Sequence, residues 1–106
     1  MSVIEQRENA VRVRPEPGLV ASVAEDLKPR LLEAVRAGAV EVVFDLAGID
    51  QIDSLGIGLL IATHNTVTPK GGRVRVVGTS PEVARLLRSM RLDRHLALEP
   101  GPDGSG

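Results

Sequence analysis

The residues with chemical potential gather at one corner of the sequence. Asp53 and Ser54 stand side by side after the apolar run Val42-Val43-Phe44-Asp45-Leu46 and the link Ala47-Gly48-Ile49-Asp50-Gln51-Ile52. Leu55-Gly56-Ile57-Gly58 follows and opens a longer apolar segment. A carboxylate or a hydroxyl at such a place can cap the helix behind it. A serine hydroxyl there can also accept a phosphoryl group, which the positive end of the helix dipole tolerates. Residue types alone leave both readings open.

The other candidates are weaker. Gly56-x-Gly58 looks like part of a dinucleotide fingerprint, but Ile61 stands where the third glycine belongs and no acid ends a following strand. His64 and His95 have no nearby Cys, second His or carboxylate at ligand spacing, so structural or solvent roles are expected. Asp45 and Asp50 flank the corner and suit turn formation and loop solvation better than paired-carboxylate catalysis. Arg88, Arg91 and Arg94 suit a solvated helix end, where cations complement the dipole, more readily than a contact for an acidic partner. No nucleophile has a base, no residues form a metal set, and no phosphate loop is present. The expectation is a protein that is not an enzyme and holds no cofactor or metal.

Composition narrows the partner. The 106 residues carry a formal net charge of −1, with both signs interspersed. That lacks the electrostatic footprint of a nucleic-acid or anionic-membrane binder. Phe44 is the only aromatic residue, so base-stacking platforms are absent and the core must be built from Leu, Val, Ile and Ala. There is no cysteine, hence no disulfide and no thiolate chemistry. Met1–Ala10 is polar, and no apolar run approaches the ~20 residues a spanning helix needs. A cytoplasmic protein is expected, without membrane insertion, as a monomer or a weak homodimer through an edge strand.

The elements that must position the corner are legible as an alternation. Val11 and Val13 alternate with Arg12 and Arg14, the pattern of a strand with one charged face, and Pro15-Glu16-Pro17-Gly18 ends it. Ser22 and Glu25 have capping-box spacing, and Ala24, Leu27, Leu31, Ala34 and Val35 form an apolar helical face that Gly38 terminates. Pro29 falls within that pattern, so a helix bent at Pro29 is expected. Val40–Leu46 reads as a buried strand and Leu55–Thr68 as a helix. Gly56 and Gly58 each cost that helix roughly 1 kcal/mol relative to Ala, so close approach of a backbone or a partner surface is expected. Arg73–Val77 is the next strand. Ser80 caps a helix over Pro81–Met90, with Val83, Leu86, Leu87 and Met90 as its buried stripe. Leu96–Leu98 is a short last strand. Residues 1–98 read as one domain and 99–106, rich in Pro, Gly and Asp, as a disordered tail. Strand–helix–strand repeats with short links imply parallel pairing and right-handed crossovers.

The register of these residues resembles the STAS domain of bacterial anti-sigma factor antagonists over about residues 9–98. The likeness is most specific at Val42–Leu60, where Phe-Asp-Leu leads through Ile-Asp-Ser to Gly-x-Gly. It continues through Gly71-Gly72 and Val74–Val77 and ends at Ser80-Pro81-Glu82-Val83, Leu86 and Met90-Arg91-Leu92. The resemblance implies an α/β fold: a mixed sheet of four or five strands, three main helices packed on it, and the N-terminal strand at an edge. It implies Ser54 as phosphoacceptor, and Asp53, Ser54, Leu55, Gly56 and Gly58 as the surface that meets a kinase-type anti-sigma factor. Two departures stand out. The family often reads Asp-Ser-Ser-Gly where this chain has Asp53-Ser54-Leu55-Gly56, and the family's Gly-x-Leu-Asp before the first helix is not clearly present. The alternative implied within the same fold is a regulatory or scaffold subunit of another bacterial assembly, such as a sensor-kinase pathway or a lipid transporter.

Overall fold

A computed structural model describes residues 2–100. Five strands form one sheet in the order of the chain: β1 (Val3–Arg7), β2 (Ala10–Arg14), β3 (Glu41–Asp45), β4 (Arg73–Thr79) and β5 (Ala97–Pro100). β1 pairs antiparallel with β2, and the other three pairings are parallel. The parallel connections run through α1 (Ala21–Arg36), α2 (Ser54–Val67) and α3 (Pro81–Ser89). The N-terminal strand lies at an edge, as expected.

The two faces of the sheet follow from the alternation of side chains. Val11, Val42 and Val74 stand in register across three strands, as do Val13, Phe44 and Val76, and all six are fully buried. They form the floor on which Leu27, Leu31, Leu60, Val67 and Leu87 of the helices pack. The intervening positions carry charge. Arg12 meets Asp45 at 2.9 Å, Arg73 meets Glu41 at 2.9 Å, and Arg75 grips Glu99 through two hydrogen bonds of 2.7 and 2.8 Å. A mixed sheet with one charged, uncovered face therefore explains the Val-Arg alternation of β2.

Several elements differ from the sequence-based expectation. β1 was unforeseen: its five residues are mostly exposed and polar, so no apolar period marks them. β2, the charged-face strand, lies one place in from the edge. Ser22 does not cap α1. The helix starts at Ala21 behind an extended Val20, which provides no side-chain cap. α1 continues through Pro29, which is exposed, so the carbonyl four residues earlier loses its intrahelical donor on the solvent side. In α3 the buried residues are Val83, Ala84 and Leu87, whereas Leu86 and Met90 face solvent. β5 includes Glu99 and Pro100, two residues beyond the expected strand, because the Arg75–Glu99 pair extends the pairing. The rest of the expected tail, 101–106, lies outside the described residues.

The far end of α2 is held by a close backbone contact. A Cβ on Gly72 would stand 1.9 Å from the Val40 carbonyl oxygen, and the Gly72 N–H donates to the Val67 carbonyl at 2.9 Å. Only glycine admits that approach.

Phe44 is fully buried at the centre of the sheet and is the only aromatic side chain available to fill that volume. Phe44→Ala is expected to lower stability by about 4 kcal/mol, read as a shift of the urea unfolding curve followed by far-ultraviolet circular dichroism.

Candidate functional site

Two segments far apart in sequence are stitched together at the C-terminal end of the parallel strands. Leu19 and Ile52 form a parallel bridge. The Leu19 N–H donates to the Gln51 carbonyl at 2.9 Å, and the Asp53 N–H donates to the Leu19 carbonyl at 3.2 Å. This brings the entrances of α1 and α2 side by side.

Asp53 occupies the N-cap of α2 in an extended conformation. Its Oδ1 accepts from the N–H groups of Leu55 at 3.0 Å and Gly56 at 2.9 Å. Its Oδ2 accepts from the Ala21 N–H at 2.9 Å, the first residue of α1. One carboxylate thus caps two helices, which explains why α1 needs no cap of its own. The Gly56 N–H, then that of Ala21, hold the Asp53 carboxyl below the usual carboxylate range against the opposing effect of burial, with a lesser contribution from the Leu55 N–H.

Asp53 being committed, Ser54 is left free at the first helical position. It is exposed. Leu55 beside it is 61% exposed, unusually open for a leucine. The two glycines that follow serve different ends. A Cβ on Gly56 would meet the Leu19 carbonyl oxygen at 1.9 Å, so Gly56 lets the α1 entrance lie against α2. Around Gly58 nothing stands within 4 Å of that position. Gly58 instead lines an open cleft of about 390 Å³ between α1 and α2, with Ala21, Ala24, Leu59 and Ala62, and Leu55 at its mouth. Of the five expected site residues, Ser54, Leu55 and Gly58 are exposed, Asp53 is half-buried in its capping role, and Gly56 is buried against the Leu19 backbone, so the five do not form one continuous surface.

The remaining candidates resolve by their contacts. Asp45 accepts the Ala47 N–H at 3.0 Å and meets Arg12 and Arg14, the turn-forming part expected of it. Partial burial alone would raise its carboxyl, but the Ala47 N–H and the two guanidiniums prevail and hold it low. Asp50 is exposed. The two histidines, unrelated in sequence, come together with ring centroids 5.6 Å apart. Among the described residues no three His, Cys, Asp or Glu gather as a metal site, and no helix is long and apolar enough to cross a membrane. The second duty of Asp53 escaped sequence reading, because its partner Ala21 is 32 residues away and donates through its backbone.

The family model for the STAS domain matches residues 2–103. The chain belongs to the STAS domain family. Its fold is shared by a candidate anti-sigma factor antagonist from Thermotoga maritima, with a TM-score of 0.84 and 20% identity over 95% of this chain and 87% of that one. The anti-sigma factor antagonist SpoIIAA in its unphosphorylated form matches with a TM-score of 0.82 and 17% identity, over 92% and 87% of the two chains. The phosphorylated form of this Bacillus protein matches with a TM-score of 0.76 and 16% identity, over 92% and 90%. An antagonist from Mycobacterium paratuberculosis matches with a TM-score of 0.80 and 22% identity, over 97% and 87%. The STAS architecture of these neighbours is that of the present chain: a mixed five-stranded sheet with three helices on it.

Two expectations follow from this geometry. Asp53 is a group whose carboxyl is held low in the folded state, so its contribution is present above the unfolded value near ~3.9 and is lost as pH falls through the folded value. Asp53→Asn, which keeps one acceptor oxygen but no charge, is expected to flatten the acid side of the stability–pH profile below about pH 4. Asp53→Ala should lower the urea midpoint further than Asn does. The glycines should separate cleanly. Gly58→Ala is expected to raise stability by roughly 0.5–1 kcal/mol through helix propensity. Gly56→Ala should lower it by about 1–3 kcal/mol through the clash with Leu19.

Proposed function

We propose that this chain is an anti-sigma factor antagonist that docks on an anti-sigma factor with serine kinase activity and is released by phosphorylation of Ser54. The observation that carries the reading is the exposed Ser54 hydroxyl at the first position of α2, freed of capping duty by Asp53. Membership of the STAS family supports it, as do neighbours named as antagonists, one of which has been solved in phosphorylated and unphosphorylated forms.

The chemistry asks little of this domain. The kinase moves the terminal phosphoryl group of a nucleoside triphosphate to Ser54 Oγ, the bond to the leaving diphosphate breaks, and the hydroxyl proton passes to a base of the kinase. The chain supplies the acceptor oxygen and a rigid presentation. The product carries about −1.5 to −2 charges and three acceptor oxygens. The start of α2 accommodates an anion, so the domain stays folded. A partner surface packed on Ser54, Leu55 and the cleft beside Gly58 does not, because like charge and stranded desolvation each cost several kcal/mol at an interface.

Leu55 favours a second reading at the level of partner. A solvent-exposed leucine stands where the family often has a second serine, so the docking surface is more apolar. A regulatory or scaffold subunit of another bacterial assembly uses the same surface without sigma-factor control.

Mass spectrometry of the protein from its native cells is expected to find phosphate on Ser54 in one growth state and not in another. Absence of phosphate in every state favours the scaffold reading. With a candidate anti-sigma kinase in hand, Ser54→Asp is expected to weaken binding by on the order of 100-fold, about 3 kcal/mol. Ser54→Ala should bind as tightly as wild type. Equal binding by the Asp variant removes the switch.

A further inference from the structure

The end of the domain opposite Ser54 carries a feature that antagonist docking leaves unused. α3 starts beyond the C-terminal end of β4 and returns along the sheet to β5, which is parallel to β4. Its C-terminus and the 3-10 turn Leu92–Arg94 therefore lie toward the N-terminal ends of the parallel strands. Ser54 follows the C-terminal end of β3. The two places are opposite poles of one sheet.

Charge divides between them unevenly. Residues 85–94 hold Arg85, Arg88, Arg91 and Arg94 against the single acid Asp93, leaving nine basic and thirteen acidic residues for the rest of the chain. All four arginines are exposed. Among the described residues none of them meets a carboxylate, whereas Arg12, Arg14, Arg30, Arg73 and Arg75 all do. The α3 dipole accounts for Arg88 in its last turn. It does not account for Arg85, further back in α3, or for Arg94 beyond the helix. Arg91 turns the chain in the left-handed region, at φ 60°, which few non-glycine residues adopt.

Beside this charge lies uncovered apolar surface. Leu86 is 37% exposed and Met90 47%. They are four residues apart and share one side of the solvent face of α3, with Arg85 and Arg88 along the other side. Helix periodicity placed both in the core stripe, yet Val83, Ala84 and Leu87 suffice to bury α3.

We infer that α3 and the turn after it form a second docking surface, for an acidic amphipathic segment of another protein. The partner's apolar side chains lie on Leu86 and Met90, and its carboxylates meet the four arginines. Charge complementarity selects this occupant: a neutral or basic partner would desolvate four cations without repayment in ion pairs. Methionine adapts to varied apolar shapes. An anionic bilayer fits less well, since two side chains give little to insert and the rest of the chain is net acidic. The separation of the poles lets this surface be occupied while Ser54 is engaged or phosphorylated.

The test uses the full chain and, as probe, a synthetic helical peptide of glutamates with leucine at alternating three- and four-residue steps. Binding is followed by fluorescence anisotropy and by amide chemical shifts. The expected result is saturable binding that weakens several-fold as salt rises, with shift changes confined to about residues 82–95. The double variant R88E/R91E should bind at least tenfold more weakly, and L86S/M90S at least fivefold. Ser54→Asp should bind unchanged. These substitutions are on exposed positions, and unchanged unfolding midpoints confirm that the fold is kept. The inference is overturned by absence of saturable binding or by shift changes centred elsewhere. It is equally overturned by variants that bind as wild type, or by sedimentation with phosphatidylglycerol vesicles in preference to peptide binding.

Discussion

The arrangement of the site depends on one carboxylate. A helix entrance leaves backbone donors without partners, and each helix usually solves this locally. Here Asp53 solves it for two helices at once: one oxygen serves α2 and the other serves α1. The consequence is geometric. The two entrances cannot drift apart without breaking a charge-assisted hydrogen bond. They cannot close further than Gly56 and the Leu19 carbonyl allow. The position of Ser54 is set between those limits, and among the described residues its hydroxyl makes no hydrogen bond.

That division of labour separates two readings that residue types left together. Either member of the Asp53-Ser54 pair could have been the cap. With the acid as cap, the hydroxyl stands one place further along, at the surface, next to an apolar side chain that contributes little to the core. On the proposed reading, Leu55 and the cleft that Gly58 lines supply contact area for a partner.

Much of the fold was readable because its signals are local. The strand Val42–Phe44, the glycines after Ser54 and the Ser80-Pro81 helix start each rest on residues within a few positions of one another. What escaped was non-local or two-sided. β1 is an edge strand whose residues Glu5, Gln6 and Arg7 are all exposed, so no alternation betrays it. Ser22 had the spacing of a cap, but the acceptor came from Asp53, on another loop. Glu99 read as tail because its partner Arg75 lies 24 residues back. Leu86 and Met90 fitted the helical period and still face water, since periodicity marks which residues could be buried and not how much cover the fold supplies. Of the candidate site, Asp53, Ser54 and Leu55 lie at the entrance of α2, a place the short-range pattern of the sequence marks. The unlike surroundings of Gly56 and Gly58 required coordinates, because both are glycines in one turn.

The glycine contacts at the two ends of α2 bear on how a signal could travel. Gly56 is pressed against the Leu19 backbone at the start, and Gly72 against the Val40 backbone just past the end. Main chain abuts main chain at both places, with no flexible side chain between to give way. Close backbone packing thus flanks α2, at its first turn and just beyond the 3-10 turn that follows it. On the proposed reading, a phosphate at the mouth of α2 acts through charge and shape at the surface itself.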